Sequence, residues 1–227
     1  MSNINKSFSK GKAFIPFITC GQISLDTTEK TIYQMEKNGA DLIELGIPFS
    51  DPVAEGSIIQ SANNRALKNG TTTDKIFSMV ESVRKSTDIP MVFMTYANIV
   101  FSYGIERFAE KSKELKMDGI ILPDVPYEEK KEFDSIFKKH DIDFISLIAP
   151  TSEERISKIA KDSSGFIYCV SSLGVTGIRE NINTNIEKMV NLVKSVNNIP
   201  VAVGFGISTP EQAKEMSKHA DGVIVGS

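Results

Sequence analysis

The sequence predicts an α/β fold, a single (β/α)8 TIM barrel over residues 1–227, and three observations support this prediction. Eight short apolar runs alternate with polar segments of helical spacing, which is the order of parallel strands and crossover helices. Most of these runs are apolar at both alternating positions, as strands buried on both faces are. The 227 residues come close to the roughly 250 of a typical barrel. Eight repeats favour a closed barrel over the alternative, an open doubly wound sheet.

The predicted strands are short and apolar. They are Ala13–Ile18, Asp41–Gly46, Pro90–Tyr96, Gly119–Asp124, Asp143–Pro150, Phe166–Ser171, Pro200–Gly206 and Gly222–Gly226. The last run reaches the end of the sequence at the point where an eighth helix should begin. We therefore expect a barrel that is C-terminally incomplete, with the eighth helix missing from this chain.

Helix starts are predicted where a residue that can cap an N-terminus precedes a Glu or Gln by three positions. Three pairs fit this pattern: Asp26 with Glu29, Thr151 with Glu154, and Thr209 with Gln212. The first helix should span Thr27–Asn38 and stop at Gly39, a residue suited to a helix C-terminus. The long gap between the second and third strands should hold two helices, roughly Ser57–Lys68 and Thr73–Ser86.

The composition excludes several classes of function. Lys and Arg number 26 against 29 Asp and Glu, a net charge of −3, and no basic stripe indicates a nucleic-acid partner. No apolar run approaches the roughly 18 residues of a membrane span, and the polar N-terminus lacks a signal-peptide core. Two cysteines are too few for a disulfide framework. We therefore expect a cytoplasmic protein with no nucleic-acid or membrane partner.

In barrels of this class the chemistry lies at the C-terminal ends of the strands, so the residue types there restrict the reaction. No lysine stands at a predicted strand end, which disfavours Schiff-base chemistry. No cluster of His, Cys and carboxylates has the spacing of metal ligands, and both histidines, His140 and His219, fall at helix ends on the opposite rim. Schiff-base and metal chemistry are therefore both disfavoured, and the residue types left for the site are carboxylates, one tyrosine and backbone amides.

Glu44 is the leading candidate for an acid/base group. It interrupts an apolar run and alternates with Leu42 and Gly46, so the three residues share one face of the strand. On the inner face of the barrel the carboxylate would be buried, and burial raises its pKa, which suits a group that both donates and accepts a proton. The alternative is a structural glutamate held by a neighbouring hydroxyl such as that of Tyr168. Strand position alone does not decide between the two.

Three further carboxylates stand near strand ends. Glu55 and Asp51 lie in the Gly- and Pro-rich loop after the second strand, where Glu55 is placed for a second acid/base role if the loop folds over the barrel mouth. For Asp51, plain solvation and a partner contact are equally good interpretations. Asp124 ends the fourth strand, and capping of a helix after Pro126 is as good an interpretation as a role in the site.

Anion binding is predicted from three Gly-rich segments that follow the late strands. They are Ser172–Gly177, Gly204–Ser208 and Gly226-Ser227. Glycine lets backbone N–H groups approach a ligand closely, and barrels frequently bind phosphate with the loops after strands seven and eight. A cradle of backbone amides would let an acidic protein bind phosphate without a basic patch.

Six motifs, taken together, are specific enough to identify a family. They are ELGIPFSDPVAEG followed by Gln60 and Asn63, then PFIT, YANIVFSYG, LPDVPYEE, LGVTG and GFGIS, and they cover nearly the whole chain. In these motifs the chain resembles the family of tryptophan synthase alpha subunits. The resemblance implies a barrel lyase of tryptophan biosynthesis that cleaves indole-3-glycerol phosphate to indole and glyceraldehyde 3-phosphate, with no metal or organic cofactor. It also implies a pyridoxal-phosphate beta subunit as partner in an α2β2 heterotetramer, to which indole passes directly.

The resemblance also assigns residues to roles. Glu44 matches the acid/base glutamate of the family, and Glu55 matches its second acid. Pro48 and Asp51 match positions that face the beta subunit. The implied substrate-binding residues are Phe17 and Tyr96 near the indole, Tyr168 near the catalytic glutamate, Thr176 in the closing loop, and Gly177, Gly206, Gly226 and Ser227 in the phosphate cradle.

The chain departs from the family pattern at four places. Glu55 stands where aspartate is commoner, Ser57 stands where proline is usual, Gly21-Gln22-Ile23 replaces a turn that is common in the family, and the eighth helix is missing. Since the charge survives at Glu55, we expect only a modest effect on rate. These departures keep open one alternative function, a non-catalytic barrel partner that activates a beta subunit. Another phosphate-binding barrel of aromatic amino-acid synthesis is disfavoured, because such enzymes rely on a lysine or another acid at different strand ends.

Overall fold

A computed structural model describes residues 3–170, 179–204 and 206–226, with the backbone alone described for residues 179–184. These ranges contain nine strands: β1 (Ala13–Thr19), β2 (Ile43–Gly46), β3 (Met91–Met94), β4 (Gly119–Ile121), β5 (Asp143–Phe144), β6 (Ser146–Ile148), β7 (Ile167–Val170), β8 (Val201–Gly204) and β9 (Gly222–Val225). They also contain ten helices: α1 (Ile4–Ser7), α2 (Leu25–Lys37), α3 (Ser57–Lys68), α4 (Thr73–Val83), α5 (Ala97–Tyr103), α6 (Ile105–Glu114), α7 (Lys130–Lys139), α8 (Glu153–Lys161), α9 (Arg179–Val196) and α10 (Pro210–Ser217). Within the described residues no helix follows β9.

The strands form one closed barrel of eight. Their order is β5-β4-β3-β2-β1-β9-β8-β7-β6, and all neighbouring strands are parallel. The two end strands, β5 and β6, are separated only by Ile145 and are parts of the single predicted strand Asp143–Pro150. The N–H of Ile145 donates to the carbonyl of Ile120 at 2.9 Å, so the ladder continues across the break. β1 pairs with both β2 and β9, so the first and last strands lie side by side.

The helix starts agree with one predicted cap and correct two others. The capping box at Thr209 forms at the start of α10. The predicted caps Asp26 and Thr151 are displaced by neighbouring serines, Ser24 and Ser152, whose hydroxyls accept a hydrogen bond from the N–H three residues later. The backbone of both serines is extended, which is the conformation an N-cap requires. In the described ranges, no helix combines the length and the apolar character needed to cross a bilayer.

The apolar core lies in layers on both sides of the sheet. One outer layer packs the strands against α2 and α4 to α7, and a second packs them against α8 to α10. The inner layer fills the barrel with side chains from the strands and from residues directly next to them: Ala13, Ile15, Leu42, Val92, Ile121, Ile145, Phe166, Tyr168, Ala202 and Ile224. Because each strand is covered on both faces, the strands show continuous apolar runs and not an alternating pattern.

A short helix that the sequence did not reveal closes the N-terminal end of the barrel. Ile4 of α1 is fully buried in the inner layer. Its Cδ1 lies so near Gly119 and Gly165 that an added Cβ would approach it to 3.3 Å and 3.1 Å. Ile4 therefore fills the N-terminal end of the barrel. The cavity that contains Glu44 lies at the opposite end, where the strands have their C-termini.

A buried ion pair ties the N-terminal end together. The Asp118 carboxylate accepts hydrogen bonds from the N–H groups of Met91 and Asn3, each at 3.0 Å, and lies 3.5 Å from the Arg84 guanidinium. Arg84 also donates to three backbone carbonyls, those of Leu115, Ile89 and Lys116. Burial raises the pKa of Asp118, and these hydrogen bonds and the Arg84 charge oppose that rise.

We expect Asp118→Ala to lower the free energy of unfolding by roughly 3 kcal/mol, because it leaves the buried Arg84 guanidinium without its counter-ion and the buried N–H of Met91 without its acceptor. Asp88→Ala is the control, since the Asp88 side chain is 89% exposed and 3.9 Å from Lys116. Its effect should stay below about 0.5 kcal/mol. Urea denaturation measures both variants, and equal unfolding midpoints would contradict the structural role of Asp118.

Candidate active site

A cavity of about 280 Å³ opens at the C-terminal ends of the strands. Five strands, the loop after β2, the start of α3 and the segments after β8 and β9 form its walls. The lining residues are Phe17, Glu44, Ala54, Glu55, Gly56, Ser57, Ile58, Ile59, Met94, Tyr168, Gly206, Ile207, Ile224 and Gly226. Two carboxylates thus share one mostly apolar cavity, a setting in which acid/base groups are strongly perturbed.

Glu44 is buried at this cavity without a hydrogen-bond partner. The register of β2 sets it beside Phe17 of β1 and Val92 of β3. Its side chain is 1% exposed, and neither carboxylate oxygen has a partner among the residues that the structure describes. One other buried side-chain oxygen there is in the same state, Thr19 Oγ1 at the end of β1. No hydroxyl, including that of Tyr168, is bonded to Glu44 within the described ranges, so the structural interpretation of this residue has no support.

The burial of Glu44 changes its ionisation. Desolvation raises the pKa of its carboxyl from 4.5 to about 8, and the neighbouring charge of Glu55 adds to the rise. Glu44 therefore keeps its proton at neutral pH. A protonated carboxyl close to its titration point can donate a proton and take one back within a single reaction.

Glu55 reaches the same cavity from the loop before α3. Its Oε2 accepts a hydrogen bond from Nδ2 of Asn63 at 2.6 Å, and its backbone carbonyl accepts one from Nε2 of Gln60 at 2.8 Å. Partial burial raises the pKa of Glu55, whereas hydrogen bonds from Asn63 and Tyr96 lower it. From the sequence, Asn63 is recognised only as part of a motif. Asn63 lies on the buried face of α3, next to the buried Ala62, and a polar side chain at such a position indicates a specific hydrogen bond.

Two glycines fix the ring of Phe17 at the cavity wall. A Cβ added to Gly46 would lie 2.7 Å from Cζ of Phe17, and one added to Gly226 would lie 3.2 Å from its Cδ1. Neither contact is possible for a larger residue unless the ring moves. The position of the Phe17 ring, which is predicted to contact the indole, therefore requires glycine at both Gly46 and Gly226.

The two tyrosines predicted to bind substrate differ in position. Tyr168 of β7 lines the cavity, and its hydroxyl packs where a Cβ at Gly204 would otherwise sit. Tyr96 is 2% exposed and is not among the residues that line this cavity, so its predicted contact with the indole stays a prediction. Its ring stacks on Phe49 at 5.1 Å, and its hydroxyl accepts a hydrogen bond from the N–H of Ala54 at 3.2 Å. Tyr96 therefore supports the loop that carries Glu55.

The predicted phosphate cradle is described in part. Gly206 and Gly226 border the cavity, and Gly206 has a φ of 73°, a left-handed conformation that favours glycine. The N–H groups of Ser208 and Thr209 donate to Oε1 of Gln212, so the start of α10 satisfies its own donors. The remaining members of the predicted cradle and its closing loop, Thr176, Gly177 and Ser227, lie outside the described residues.

Three loop residues have locations that refine the predictions for them. Asp51 is exposed and accepts a hydrogen bond from the Ser50 hydroxyl, whereas Pro48 is buried and does not face outward. Asp124 does not cap its own helix, because α7 begins only at Lys130. Its two oxygens accept from the N–H of Ala97 at 3.0 Å and 3.1 Å, which caps the neighbouring helix α5.

A second cavity, of about 380 Å³, lies between α7 and α8 and contains neither Glu44 nor Glu55. It surrounds Lys130, a buried lysine that the sequence analysis missed. Burial lowers the pKa of Lys130, and its Nζ donates to Oγ of Ser146 at 3.0 Å and to the carbonyl of Asp162 at 2.9 Å. These bonds join α7 to β6 and to the end of α8, which is a structural role. In the described ranges, no group of three or more His, Cys, Asp and Glu side chains is arranged to hold a metal ion.

Comparisons with known proteins agree on one family. A family model described as tryptophan synthase alpha chain matches residues 3–227. A tryptophan synthase alpha chain from Lacticaseibacillus casei is 48% identical over the whole of this chain and 85% of its own length. One from Clostridium acetobutylicum is 49% identical over 93% of this chain and 80% of its own. A solved tryptophan synthase alpha subunit from Campylobacter jejuni superimposes with a TM-score of 0.90 at 35% identity, covering 97% of this chain and 89% of that one.

We expect Glu44→Gln to stabilise the protein at alkaline pH. The folded protein keeps a proton that the unfolded chain releases between pH 4.5 and about 8, so the stability contributed by the protonated carboxyl is lost as the pH rises through that window. An amide does not ionise, and the variant should exceed the parent by roughly 1–3 kcal/mol at about pH 9 and match it most closely at about pH 4.

Denaturant unfolding across this pH range measures the difference. Glu110→Gln, at an exposed position on α6, is the control and should show no alkaline gain. An equal gain in the control, or none at Glu44, would contradict the buried, uncompensated state of that carboxyl.

Proposed function

Because the chain belongs to the tryptophan synthase alpha chain family, we propose how its own residues carry out the lyase reaction of that family. Alpha chains of tryptophan synthase cleave indole-3-glycerol phosphate to indole and glyceraldehyde 3-phosphate in tryptophan biosynthesis. In this chain we assign the proton transfers to Glu44 and Glu55. The observation on which the assignment rests is the buried carboxyl of Glu44, which faces the cavity without a partner.

The substrate fits the two kinds of wall that the cavity offers. The ring of Phe17, with Ile59 and Ile224, gives an apolar surface for the indole ring. The phosphate is assigned to the glycine segments after β8 and β9, where the backbone at Gly206 is open and left-handed. We include Thr176, Gly177 and Ser227 in the phosphate-binding group by their match to the family motifs. Tyr168 lines the same cavity as Glu44, and we assign it to substrate binding.

Glu44 supplies the central proton transfers. Indole is a poor leaving group until its C3 carbon is protonated, and the protonated Glu44 carboxyl donates that proton. The bond between C3 and the side chain then breaks, and its electrons return to the indole ring system. The side-chain hydroxyl loses its proton to the Glu44 carboxylate as the aldehyde forms. Glu44 thus returns to its starting form, and the reaction needs no net proton from water.

Glu55 acts on the other side of the ring. Protonation at C3 places positive charge on the indole nitrogen, and the Glu55 carboxylate accepts or holds the N–H proton until the ring is aromatic again. The negative charge of Glu55 also raises the pKa of Glu44, so the two carboxyl groups are kept in opposite protonation states.

Tryptophan synthase alpha chains pair with a beta chain, and we propose an α2β2 heterotetramer in which indole passes directly to that partner. The loop after β2 and the first turn of α3 form the supporting surface, since Val53 and Ile58 are 78% and 64% exposed and Asp51 of the same loop is exposed too. Pro48, which is buried, would act on this contact by shaping the loop. We further propose one domain over residues 1–227 and a cytoplasmic location.

Glu44→Gln should reduce indole release by at least about 100-fold, since the amide cannot donate the proton. In the parent, kcat/KM should fall as the pH rises through about 8, because Glu44 must be protonated to act as the acid. It should also fall on the acid side as Glu55 gains a proton. Indole release from indole-3-glycerol phosphate by the purified protein measures all three effects.

Full turnover by Glu44→Gln would remove the assigned role of that residue. No indole release by the parent, together with activation of a beta chain, would favour the non-catalytic barrel partner.

Gly46→Ala should weaken substrate binding, because its Cβ would lie 2.7 Å from Cζ of Phe17 and push the ring into the cavity. We expect kcat/KM to fall roughly tenfold, in line with the usual cost of overpacking. Combining it with Phe17→Leu, which makes room at that point, should produce less than the product of the two single effects. Simple multiplication of the two losses would show that Gly46 does not act through Phe17.

A further inference from the structure

Two neutral side chains of α3 hold Glu55, one by its backbone and one by its carboxylate. Gln60 is exposed and donates to the Glu55 carbonyl at 2.8 Å. Asn63, one turn later, is 3% exposed, and its Nδ2 donates to Oε2 of Glu55 at 2.6 Å. Because the Asn63 side chain is buried, its position is determined by the packing of α3 and not by the conformation of the loop that carries Glu55.

We propose that Asn63 is a positioning residue for the lyase reaction, which fixes the Glu55 carboxylate at the cavity wall by a hydrogen bond to its Oε2. The inference rests on the acid/base role proposed for Glu55 and deepens it. It concerns neither a new proton transfer nor a contact between Asn63 and substrate, because Asn63 is not among the residues that line the cavity.

Glu55 needs such a contact for a conformational reason. Its long side chain lies in a Pro- and Gly-rich loop, where several rotamers are open to it and ordering one of them costs conformational entropy. A donor fixed on a helix selects the rotamer that reaches Asn63. Because helix α3 is anchored by the buried residues Ala62 and Ala66, the position of the carboxylate follows from the packing of the helix.

The same hydrogen bond favours one protonation state. The Asn63 N–H only donates, and an ionised carboxylate only accepts, so the contact stabilises the charged form that the reaction requires. The titratable groups facing Glu55 are Glu44 from β2 and Tyr96, which follows β3. The facing residues of α3 are neutral. Asn63 therefore opposes the effect of burial, and through the charge of Glu55 it also acts on the protonation of Glu44.

Asn63→Leu tests the proposal, because leucine has a similar volume and cannot donate. The matched control is Asn64→Leu, the same change at the next residue of α3, which is exposed. The purified protein is assayed for indole release from indole-3-glycerol phosphate over a range of pH, and its folding is checked by denaturant unfolding. We expect Asn63→Leu to lose roughly 10- to 100-fold in kcat/KM at neutral pH. Its acid limb should move to higher pH, whereas the profile of Asn64→Leu should stay that of the parent.

A double variant separates positioning from a structural role. If Asn63 acts through Glu55, then Asn63→Leu should cause little further loss in a Glu55→Gln background, because no carboxylate remains to be held. The proposal would be overturned if the loss of kcat/KM in the double variant equalled the product of the two single losses. It would also be overturned if folded Asn63→Leu protein kept the acid limb of the parent's pH profile. If that variant does not fold, Asn63→Ser, whose short side chain does not reach Glu55, is read by the same criteria.

The outcome for Glu44 distinguishes this inference from the function on which it rests. An inactive Glu44→Gln with a parental profile for Asn63→Leu refutes the positioning role alone. An active Glu44→Gln refutes the proposed assignment of the proton transfers, whatever the result at Asn63.

Discussion

An unpaired carboxyl group inside an apolar barrel is the constraint on which the site depends. Burying a carboxyl without a hydrogen-bond partner is unfavourable, and proteins usually avoid it or let the group stay neutral. Glu44 stays neutral at physiological pH because its pKa is raised to about 8, and a general acid must carry its proton in this way. The parallel sheet makes this possible because its inner face is lined by apolar side chains and closed by α1 on the far side. The same feature that weakens the fold at alkaline pH thus supplies the reactivity, which is a common trade-off at catalytic sites.

The shape of the cavity mouth depends on missing side chains as much as on present ones. Gly46 and Gly226 make room for the ring of Phe17, and Gly204 makes room for the hydroxyl of Tyr168. Each aromatic group lies on one strand, and each glycine lies on an adjacent strand or directly after it, so the register of the barrel sets the cavity wall. A change at any of these glycines would move an aromatic ring even though the glycine itself has no chemistry.

The strands and the inward-facing position of Glu44 could be predicted from the sequence, because both follow from its periodicity. Contacts between segments that are distant in the sequence could not be predicted. Alternation along β2 placed Glu44 on the inner face, and eight apolar runs predicted eight barrel strands, including the one that splits at Ile145. The hydrogen bond from Asn63 to Glu55, the support that Tyr96 gives to Ala54, and the capping of α5 by Asp124 join segments whose spacing carries no such signal. Local caps were displaced by one or two residues where several polar side chains competed for the same N–H groups.

The pairing of β1 with β9 has a consequence for how the protein is made. Ala13 bonds to Asp221, and the Lys12 ammonium to the carbonyl of Ala220, so the contacts that close the ring join the two most distant strands. Contacts of such high sequence separation form late and give slow folding. A nascent chain still on the ribosome exposes the unpaired edge of β1 until β9 emerges, and such an edge invites aggregation. Phe17 and Gly226 border the same cavity, so the active-site cavity forms only when β1 pairs with β9.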